Sequence, residues 1–145
     1  MWKFLHYHLV LTGEPKTIPA GVTRVLNLRG TAHPAYDVPP GVHYKALFLP
    51  GGPSAYVPFW RISNAVKYVM NTKPGGICLV HCQHGLNRTG LVACAVATQE
   101  IGLTAEEAMV IFAQLRSPGI QREQVRITLR KWAGSVRDHP FQKKS

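Results

Sequence analysis

Cys82 and Arg88 are separated by five residues in the segment 81–90, which reads His-Cys-Gln-His-Gly-Leu-Asn-Arg-Thr-Gly. The apolar residues before it, 77–80, are typical of a short buried strand, and the residues after it are typical of a helix. A loop between a strand and a helix points several backbone N–H groups and the positive end of the helix dipole at one place. Such a site binds a tetrahedral dianion and favours a thiolate at its floor. The spacing therefore predicts that Cys82 is a nucleophile that attacks phosphorus.

The other residue types of this segment fit the same chemistry. Gly85 allows the loop to turn with a positive φ and places no side chain in the path of the anion. The planar guanidinium of Arg88 can hold two phosphoryl oxygens, and the Thr89 hydroxyl is placed to donate to the sulfur and help it leave. We expect His81 to orient the loop through backbone contacts rather than to transfer protons.

Two other interpretations of the cysteine and the arginine exist, because this spacing alone also arises by chance. One makes Cys82 a structural residue at a strand end, with Arg88 in a surface ion pair. The other makes the segment a sulfur-transfer or arsenate-type loop. The first gives no packing reason for the whole pattern, and loops of the second type have another spacing or lack the His-Cys start.

The sequence has no aspartate or glutamate between Val38 and Gln99. This interval includes residues 50–58, a loop that we expect to overhang the active site. Phosphatases that cleave phosphotyrosine or phosphoserine place an aspartic acid there to protonate the leaving oxygen, which contributes about 10²–10⁴-fold. The terminal phosphate of a di- or triphosphate leaves a stable anion and needs little protonation. The missing carboxylate therefore favours a phosphoanhydride substrate, unless Asp37, His43 or His84 supplies a proton from elsewhere.

Length and charge set the broad class. The 145 residues predict one domain over 1–137, followed by a basic tail over 138–145. Seventeen lysines and arginines against seven acids give a net charge of +10, which attracts anionic partners. No run of eighteen apolar residues is present, and residues 1–8 do not resemble a signal peptide, so we expect no membrane partner.

Three cysteines do not suggest a disulfide framework. A nucleophilic thiolate needs a reducing compartment, so we expect the nucleus or the cytoplasm. Cys78 and Cys94 are expected to be small buried hydrophobic residues, with one alternative, in which Cys78 forms a disulfide with oxidised Cys82.

Strand and helix patterns alternate along the chain. The predicted strands are 4–11, 24–28, 43–49 and 77–80, and the predicted helices are 54–71, 88–101, 104–116 and 122–132. Ser54 is the expected N-cap of the first helix, and Thr104 with Glu107 forms a capping box for the third. The helix after the cysteine loop is apolar nearly all round and is expected in the interior. This alternation predicts an α/β domain whose mainly parallel sheet of four to five strands is flanked by helices, with the cysteine loop at the carboxyl end of a strand.

Arg122, Arg126 and Arg130 recur every four residues on the last predicted helix. They are either an ordinary solvated face or a row that follows the phosphates of a nucleic acid. The apolar residues Val125 and Leu129 lie between them and are expected to face the core.

The sequence resembles the cysteine-phosphatase RNA 5′-triphosphatases. This family includes the amino-terminal domains of animal mRNA capping enzymes and the stand-alone RNA 5′-phosphatases of animals and insect viruses. Segment 81–90 carries the resemblance. It is supported by 112–120, which reads Phe-Ala-Gln-Leu-Arg-Ser-Pro-Gly-Ile, and by Gly-Val-His-Tyr at 41–44. The similarity extends over about residues 21–134.

The resemblance implies the dual-specificity-phosphatase fold, with no metal and no cofactor. It implies that Cys82 attacks the γ-phosphorus of an RNA 5′-triphosphate end and that water hydrolyses the phosphocysteine. Removal of the β-phosphate by the same route is left open. Arg88 would clamp the transferred group. The substrate-binding residues it implies are His81, Gln83, His84, Gly85, Leu86 and Asn87. No obligate protein partner is expected. The competing functions are a dual-specificity protein phosphatase and a catalytically silent phosphate-binding module.

Overall fold

The computed structural model describes residues 1–52 and 56–138. Five strands form one sheet, namely β1 (Trp2–Lys3), β2 (His8–Thr12), β3 (Arg24–Asn27), β4 (His43–Ala46) and β5 (Ile77–His81). Their order across the sheet is β1-β2-β5-β3-β4, with β2 to β5 parallel and β1 antiparallel to β2. The predicted α/β fold with a mainly parallel sheet is confirmed. Because β5 is central, the carboxyl ends of β2 and β3 flank the loop that follows it.

Four helices accompany the sheet, namely α1 (Phe59–Met70), α2 (Asn87–Glu100), α3 (Ala105–Leu115) and α4 (Glu123–Asp138). As its apolar sequence predicts, α2 is the interior helix and packs against the other three. The capping box of α3 is confirmed: the N–H of Glu107 lies 3.1 Å from the Thr104 hydroxyl, and the N–H of Thr104 lies 2.9 Å from the Glu107 carboxylate. No helix in the described part of the chain combines the length and apolarity needed to cross a bilayer.

The two faces of the sheet bury different clusters, because side chains alternate along each strand. Cys78, Val80 and Cys82 face the helices and belong to the large core, whereas Leu79 faces a smaller cluster on the other side with Tyr36. The predicted core-facing residues Val125 and Leu129 are buried. The other core residues of α1 and α4 include Ile62, Val66, Val69 and Trp132, with Phe59 half-buried. His81 therefore points away from the helices, and Cys82 points towards them.

Three predicted boundaries are wrong. Only the second half of the expected strand 4–11 belongs to a strand, β2. Residues 4–7 form a turn after β1, which the N–H of Phe4 closes on the carbonyl of Tyr7; there the ring of Phe4 stacks on Trp2 and lies tilted against Tyr7. The predicted strand 43–49 corresponds to β4, and its pairing with β3 ends at Ala46 rather than at residue 49. Helix α4 continues six residues beyond Trp132, because Val136 is buried against the core.

The start of α1 is also later than predicted. The expected N-cap Ser54 lies outside the described residues, and the helix begins at Phe59 after Pro58. A proline disfavours the helical conformation of the residue before it, so a helix cannot readily continue through Val57 into Pro58. At the other end of the chain, Asp138 of the predicted tail is the last residue of α4, and residues 139–145 lie outside the described part.

Candidate active site

The Cys82 loop joins the central strand to the interior helix. β5 ends at His81 and α2 begins at Asn87, so residues 82–86 form the turn and Cys82 is 3% exposed at its floor. The N–H of Gly85 lies 3.3 Å from Sγ of Cys82, and the Thr89 hydroxyl lies 3.1 Å from it. Burial raises the pKa of this thiol. Hydrogen bonds from Thr89 and Gly85, with the charge of Arg88, outweigh burial and lower its pKa below the ordinary value. The arrangement favours a thiolate.

Two features of the structure require a glycine at position 85. Its φ is +74°, the left-handed region that its position in the sequence predicts. A β-carbon there would lie 2.4 Å from the backbone of Thr12 and Gly13, at the end of β2. The loop therefore leans on β2, and the N–H of Glu14 donates to the carbonyl of Gln83 at 3.0 Å. Sequence reasoning missed this support, because β2 is about seventy residues away in the chain.

Arg116 holds the outer side of the loop. Its Nε donates to the carbonyl of Gly85 at 2.9 Å and its Nη2 donates to the carbonyl of His84 at 3.0 Å. Two consecutive carbonyls are thereby turned away from the sulfur, while the N–H of Gly85 points at it. Arg116 lies in the segment 112–120 that carries the family resemblance, yet its spacing to the loop gives no local signal of this role.

The loop residues expected to bind substrate have different surroundings. Gln83 and His84 are exposed at the mouth of the site, and Leu86 is half-buried. The side-chain oxygen of Asn87 accepts from the N–H groups of Gln121 and Arg122 at 3.1 and 3.0 Å. Asn87 thus ties the start of α2 to the segment before α4.

His81 is buried on the far side of the sheet. Its Nδ1 lies 3.2 Å from the carbonyl oxygen of Cys82, and its Nε2 lies 2.5 Å from the hydroxyl of Tyr36. Burial lowers the pKa of His81, so the ring is neutral and bridges the loop backbone to Tyr36. This geometry fits the expected orienting role. Tyr36 itself was not identified from the sequence, because the contact spans 45 residues.

Arg88 lies beneath the segment that follows β4. Its Nη1 donates to the carbonyl of Leu49 at 3.4 Å, and the backbone of Gly51 stands against its guanidinium. None of the ion pairs found among the described residues involves Arg88. The alternative of a structural cysteine with a surface-paired arginine therefore finds no support in this geometry.

The three predicted alternative proton donors lie at different places relative to Cys82. His43 begins β4, at the end of the parallel strands opposite to Cys82, and its Nδ1 lies 2.7 Å from the Tyr68 hydroxyl. Asp37 is exposed beside Tyr36, and His84 belongs to the loop itself.

The structure also brings a carboxylate that sequence reasoning overlooked to the rim of the site. Glu14 follows β2 and contacts the loop through its backbone N–H, while its carboxylate forms a 2.6 Å ion pair with Arg29. The side chain is thus held by Arg29, two residues beyond the end of β3. A test for a general acid must include this residue.

Cys78 and Cys82 lie on the same face and are four residues apart, which in an extended chain separates their Cα atoms by about 13 Å. A disulfide needs about 4.4–6.8 Å, so the structure excludes that pairing without rearrangement. Burial raises the pKa of Cys78 to about 12 and also raises that of Cys94, as expected of inert buried thiols.

Two of the three arginines in the predicted row, Arg126 and Arg130, form ion pairs, and Arg122 lies just before α4. Arg126 pairs with Glu123 at 2.7 Å, and Arg130 pairs with Glu106 at 2.5 Å. These contacts favour the ordinary solvated face over a phosphate-binding row. Within the described ranges, no cluster of three histidine, cysteine or acidic side chains has the arrangement of a metal site.

Comparison with known proteins finds relatives that match about half of this chain, and solved structures that share its fold. No family model matches the chain. The mRNA-capping enzyme of Danio rerio is 35% identical over 74 residues, which are 51% of this chain and 12% of that protein. The tyrosine-protein phosphatase of Autographa californica nuclear polyhedrosis virus is 33% identical over 86 residues, 57% of this chain and 50% of that one. The RNA/RNP complex-1-interacting phosphatase homolog of Caenorhabditis elegans is 37% identical over 68 residues, 46% of this chain and 29% of that one. The chain thus spans half or less of the length of these relatives.

Solved structures share the whole architecture. Human DUSP28 aligns with a TM-score of 0.74 at 20% identity, covering 90% of this chain and 94% of that one. PTPMT1 aligns with a TM-score of 0.74 at 17% identity, covering 91% and 93%. These likenesses show the fold, which is that of the dual-specificity phosphatases. Together with the relatives, they confirm the resemblance drawn from residues 81–90: the chain has the dual-specificity-phosphatase fold and is similar in sequence to an mRNA-capping enzyme and to an RNA/RNP complex-1-interacting phosphatase homolog.

Proposed function

We propose that this dual-specificity-fold phosphatase is a metal-independent RNA 5′-triphosphatase that removes the γ-phosphate through a phosphocysteine. One observation carries the proposal. A sulfur with a lowered pKa lies beneath inward-pointing donors, and the segment that covers Arg88 has no carboxylate in its sequence. The mRNA-capping enzymes among the relatives support an RNA end as the substrate partner.

In the first step the Cys82 thiolate attacks the γ-phosphorus. A sulfur–phosphorus bond forms while the bond from this phosphorus to the bridging β–γ oxygen breaks, and the electron pair leaves on the RNA 5′-diphosphate. The guanidinium of Arg88 and the N–H groups of the loop compensate the charge on the transferred oxygens. The leaving diphosphate is a stable anion, so no side chain has to supply a proton.

In the second step water attacks the phosphocysteine. The oxygen–phosphorus bond forms, the sulfur–phosphorus bond breaks, and the protons of the water leave with the inorganic phosphate. The Thr89 hydroxyl, 3.1 Å from the sulfur, stabilises the returning thiolate. The same cycle on the RNA 5′-diphosphate would remove the β-phosphate.

The second candidate is a dual-specificity protein phosphatase. The viral relative carries the name of a tyrosine-protein phosphatase, and the carboxylate of Glu14 lies near the loop. A tyrosine oxygen leaves with a pKa of about 10, so this activity requires an acid at the mouth of the site. The ion pair with Arg29 engages the carboxylate of Glu14 and disfavours that role.

The deciding experiment compares phosphate release from a 5′-triphosphorylated oligoribonucleotide and from a phosphotyrosine peptide. We expect the RNA to be hydrolysed with the higher kcat/KM. Cys82→Ser should abolish both activities, and the matched Cys94→Ala, a buried thiol on α2, should abolish neither. A higher kcat/KM for the peptide would replace the proposal with the protein phosphatase.

A second measurement separates the two anhydride bonds. RNA labelled in the γ- or the β-phosphate reports whether one or two phosphates are released. We propose that the γ-phosphate leaves first, because it is the terminal group that the loop can enclose. We also propose a reducing compartment, the nucleus or the cytoplasm, as the place of activity, since oxidation would consume the thiolate.

A further inference from the structure

Three exposed aromatic side chains lie close together in the sequence, beside the active site. Among the described residues, the exposed large hydrophobic side chains include three rings, and all three fall between β4 and the first turn of α1: Phe48, Tyr56 and Trp60. Phe48 is 47% exposed and Trp60 is 59% exposed. Rings in contact with solvent cost free energy unless a partner covers them, so this concentration points to a binding surface.

A guanidinium links two of these rings. Cζ of Arg61 lies 4.5 Å from the ring centre of Trp60 and 5.6 Å from that of Phe48. Its Nη1 also donates to the carbonyl of Phe48 at 2.9 Å. No carboxylate in the described part of the chain forms an ion pair with Arg61. We call Phe48, Trp60 and Arg61 the aromatic surface; it carries a positive charge that no described side chain neutralises.

The aromatic surface is continuous with the catalytic arginine. Arg61 binds the carbonyl of Phe48, and Arg88 binds the next carbonyl, that of Leu49. Gly51, three residues after Phe48, stands against the guanidinium of Arg88. Three residues span at most about 11 Å, so the Cα atom of Phe48 lies within that distance of the Gly51 backbone that covers Arg88.

The position of Phe48 is fixed by the sheet. A β-carbon at Gly30, just beyond β3, would lie 2.7 Å from Cβ of Phe48, so the two backbones are in close contact. The backbone of Phe48, from which the ring projects, is therefore fixed against the end of β3. A surface of aromatic rings with a guanidinium is suited to bind a flat aromatic group that is attached to an anion.

We propose that the aromatic surface is a stacking site for the first nucleobases of single-stranded RNA whose 5′-phosphates occupy the Cys82 loop. The inference rests on the proposed function and names the part of the substrate beyond its phosphates. Aromatic rings bind bases of any sequence through their π-faces, and arginine stacks on bases in the same way. The net charge of +10, and an Arg61 that forms no ion pair with any described side chain, favour a polyanion over an apolar peptide as the occupant.

The test compares two substrates that differ in their bases. One is a 5′-triphosphorylated oligoribonucleotide, and the other is inorganic tripolyphosphate, which has the anhydride bonds but no base. Trp60→Ala should lower the ratio of kcat/KM for RNA to kcat/KM for tripolyphosphate by about tenfold, and Trp60→Phe should restore most of it. The matched control is Val110→Ala on α3, where an equally exposed side chain lies outside the aromatic surface; its ratio should not change.

The failures are distinguishable. If the wild-type protein releases no phosphate from the RNA, the proposed function fails and this inference fails with it. If the wild-type protein and Trp60→Ala hydrolyse the RNA with equal kcat/KM, the stacking site alone is refuted. If Trp60→Ala slows only a phosphotyrosine peptide, the surface binds protein rather than RNA and the inference is overturned.

Tryptophan emission gives an independent readout. Trp2 is 6% exposed and Trp132 is fully buried, so a stacked base quenches mainly Trp60. In the Cys82→Ser protein, which does not consume the substrate, the oligoribonucleotide should quench emission and tripolyphosphate should not. Quenching of the same size after Trp60→Phe would contradict the assignment.

Discussion

The backbone of Gly51 lies directly against the guanidinium of Arg88. A β-carbon at residue 51 would stand 2.9 Å from Cζ and 3.1 Å from Nε and Nη1 of that side chain. Such contacts are closer than carbon atoms tolerate, but the atoms concerned are the far end of a flexible side chain. The glycine therefore leaves the arginine room to keep its position, and a larger residue would displace the arginine rather than disrupt the fold.

Gly51→Ala should consequently reduce activity with little loss of stability. A displacement of about 1 Å in a positioning group can cost about 100-fold in rate, so we expect kcat/KM to fall by ten- to 100-fold. The melting temperature should stay within a few degrees. Gly134→Ala is the control, because a β-carbon there meets only Arg137 at an ordinary 3.8 Å. Unchanged kcat/KM in Gly51→Ala would show that the contact does not restrain Arg88.

Arg116 is predicted to act on the sulfur through the loop backbone. Arg116→Lys keeps the charge but cannot donate to the carbonyls of His84 and Gly85 with a planar fork. We expect the loop to lose its orientation and kcat/KM to fall by at least about tenfold. The pH dependence of Cys82 alkylation by iodoacetamide should move to higher pH at the same time. Arg137→Lys, on α4, is the control. A fall in kcat/KM without that shift would indicate a direct role at the substrate instead.

The parts of the site that lie together in the sequence were predictable. The strand, the loop and the helix around Cys82 are read from apolar runs and from glycine, and the capping box of α3 is read from two residues three positions apart. Each of these signals is local. The boundary errors at α1 and α4 arise where a proline or a core contact overrides the local pattern.

The supports of the loop were not predictable in this way. Arg116 reaches Gly85 across 31 residues and Tyr36 reaches His81 across 45, and neither pair has a periodic pattern that links it. No pattern in the sequence around Gly51 indicates that its backbone contacts the guanidinium of Arg88. Only the strand order, which places β5 between β2 and β3, brings these residues together. The family resemblance included the segment that contains Arg116, but it did not indicate that Arg116 binds the carbonyls of the Cys82 loop.

Thr89→Ala tests the charge of the sulfur. The hydroxyl lowers the pKa of Cys82 against the effect of burial, so its loss should raise that pKa. The thiolate is the form present above the pKa; a raised pKa therefore shifts the acid limb of kcat/KM, and that of Cys82 alkylation, to higher pH. Phosphocysteine should also accumulate, since the sulfur is the leaving group of the second step. Thr89→Ser should restore both properties. An acid limb unmoved in Thr89→Ala would contradict the role of the hydroxyl.

The proposed phosphoanhydride mechanism needs no general acid and therefore predicts a flat alkaline limb in the pH profile of kcat. For an RNA 5′-triphosphate, kcat should not fall above neutral pH until the fold itself is affected, because no proton has to be donated to the leaving diphosphate. Glu14→Gln and Asp37→Asn should each change kcat by less than about twofold, against the 10²–10⁴-fold effect of a positioned acid. A steep alkaline loss that disappears in one of these variants would identify that residue as the acid and favour a protein substrate.

The last prediction concerns which arginines meet the RNA. Each phosphate neutralised on a single strand contributes about 0.7 to the slope of log affinity against log salt concentration. Arg126 is already paired with Glu123, and its Nη1 donates to the carbonyl of Ile120, so Arg126→Ala should leave the slope unchanged. Arg61 has no such ion pair among the described residues, so Arg61→Gln should reduce the slope by up to that amount. The measurement uses the Cys82→Ser protein and a 5′-triphosphorylated oligoribonucleotide over a series of salt concentrations. A flattened slope in Arg126→Ala, with none in Arg61→Gln, would place the RNA along α4 and away from the aromatic surface.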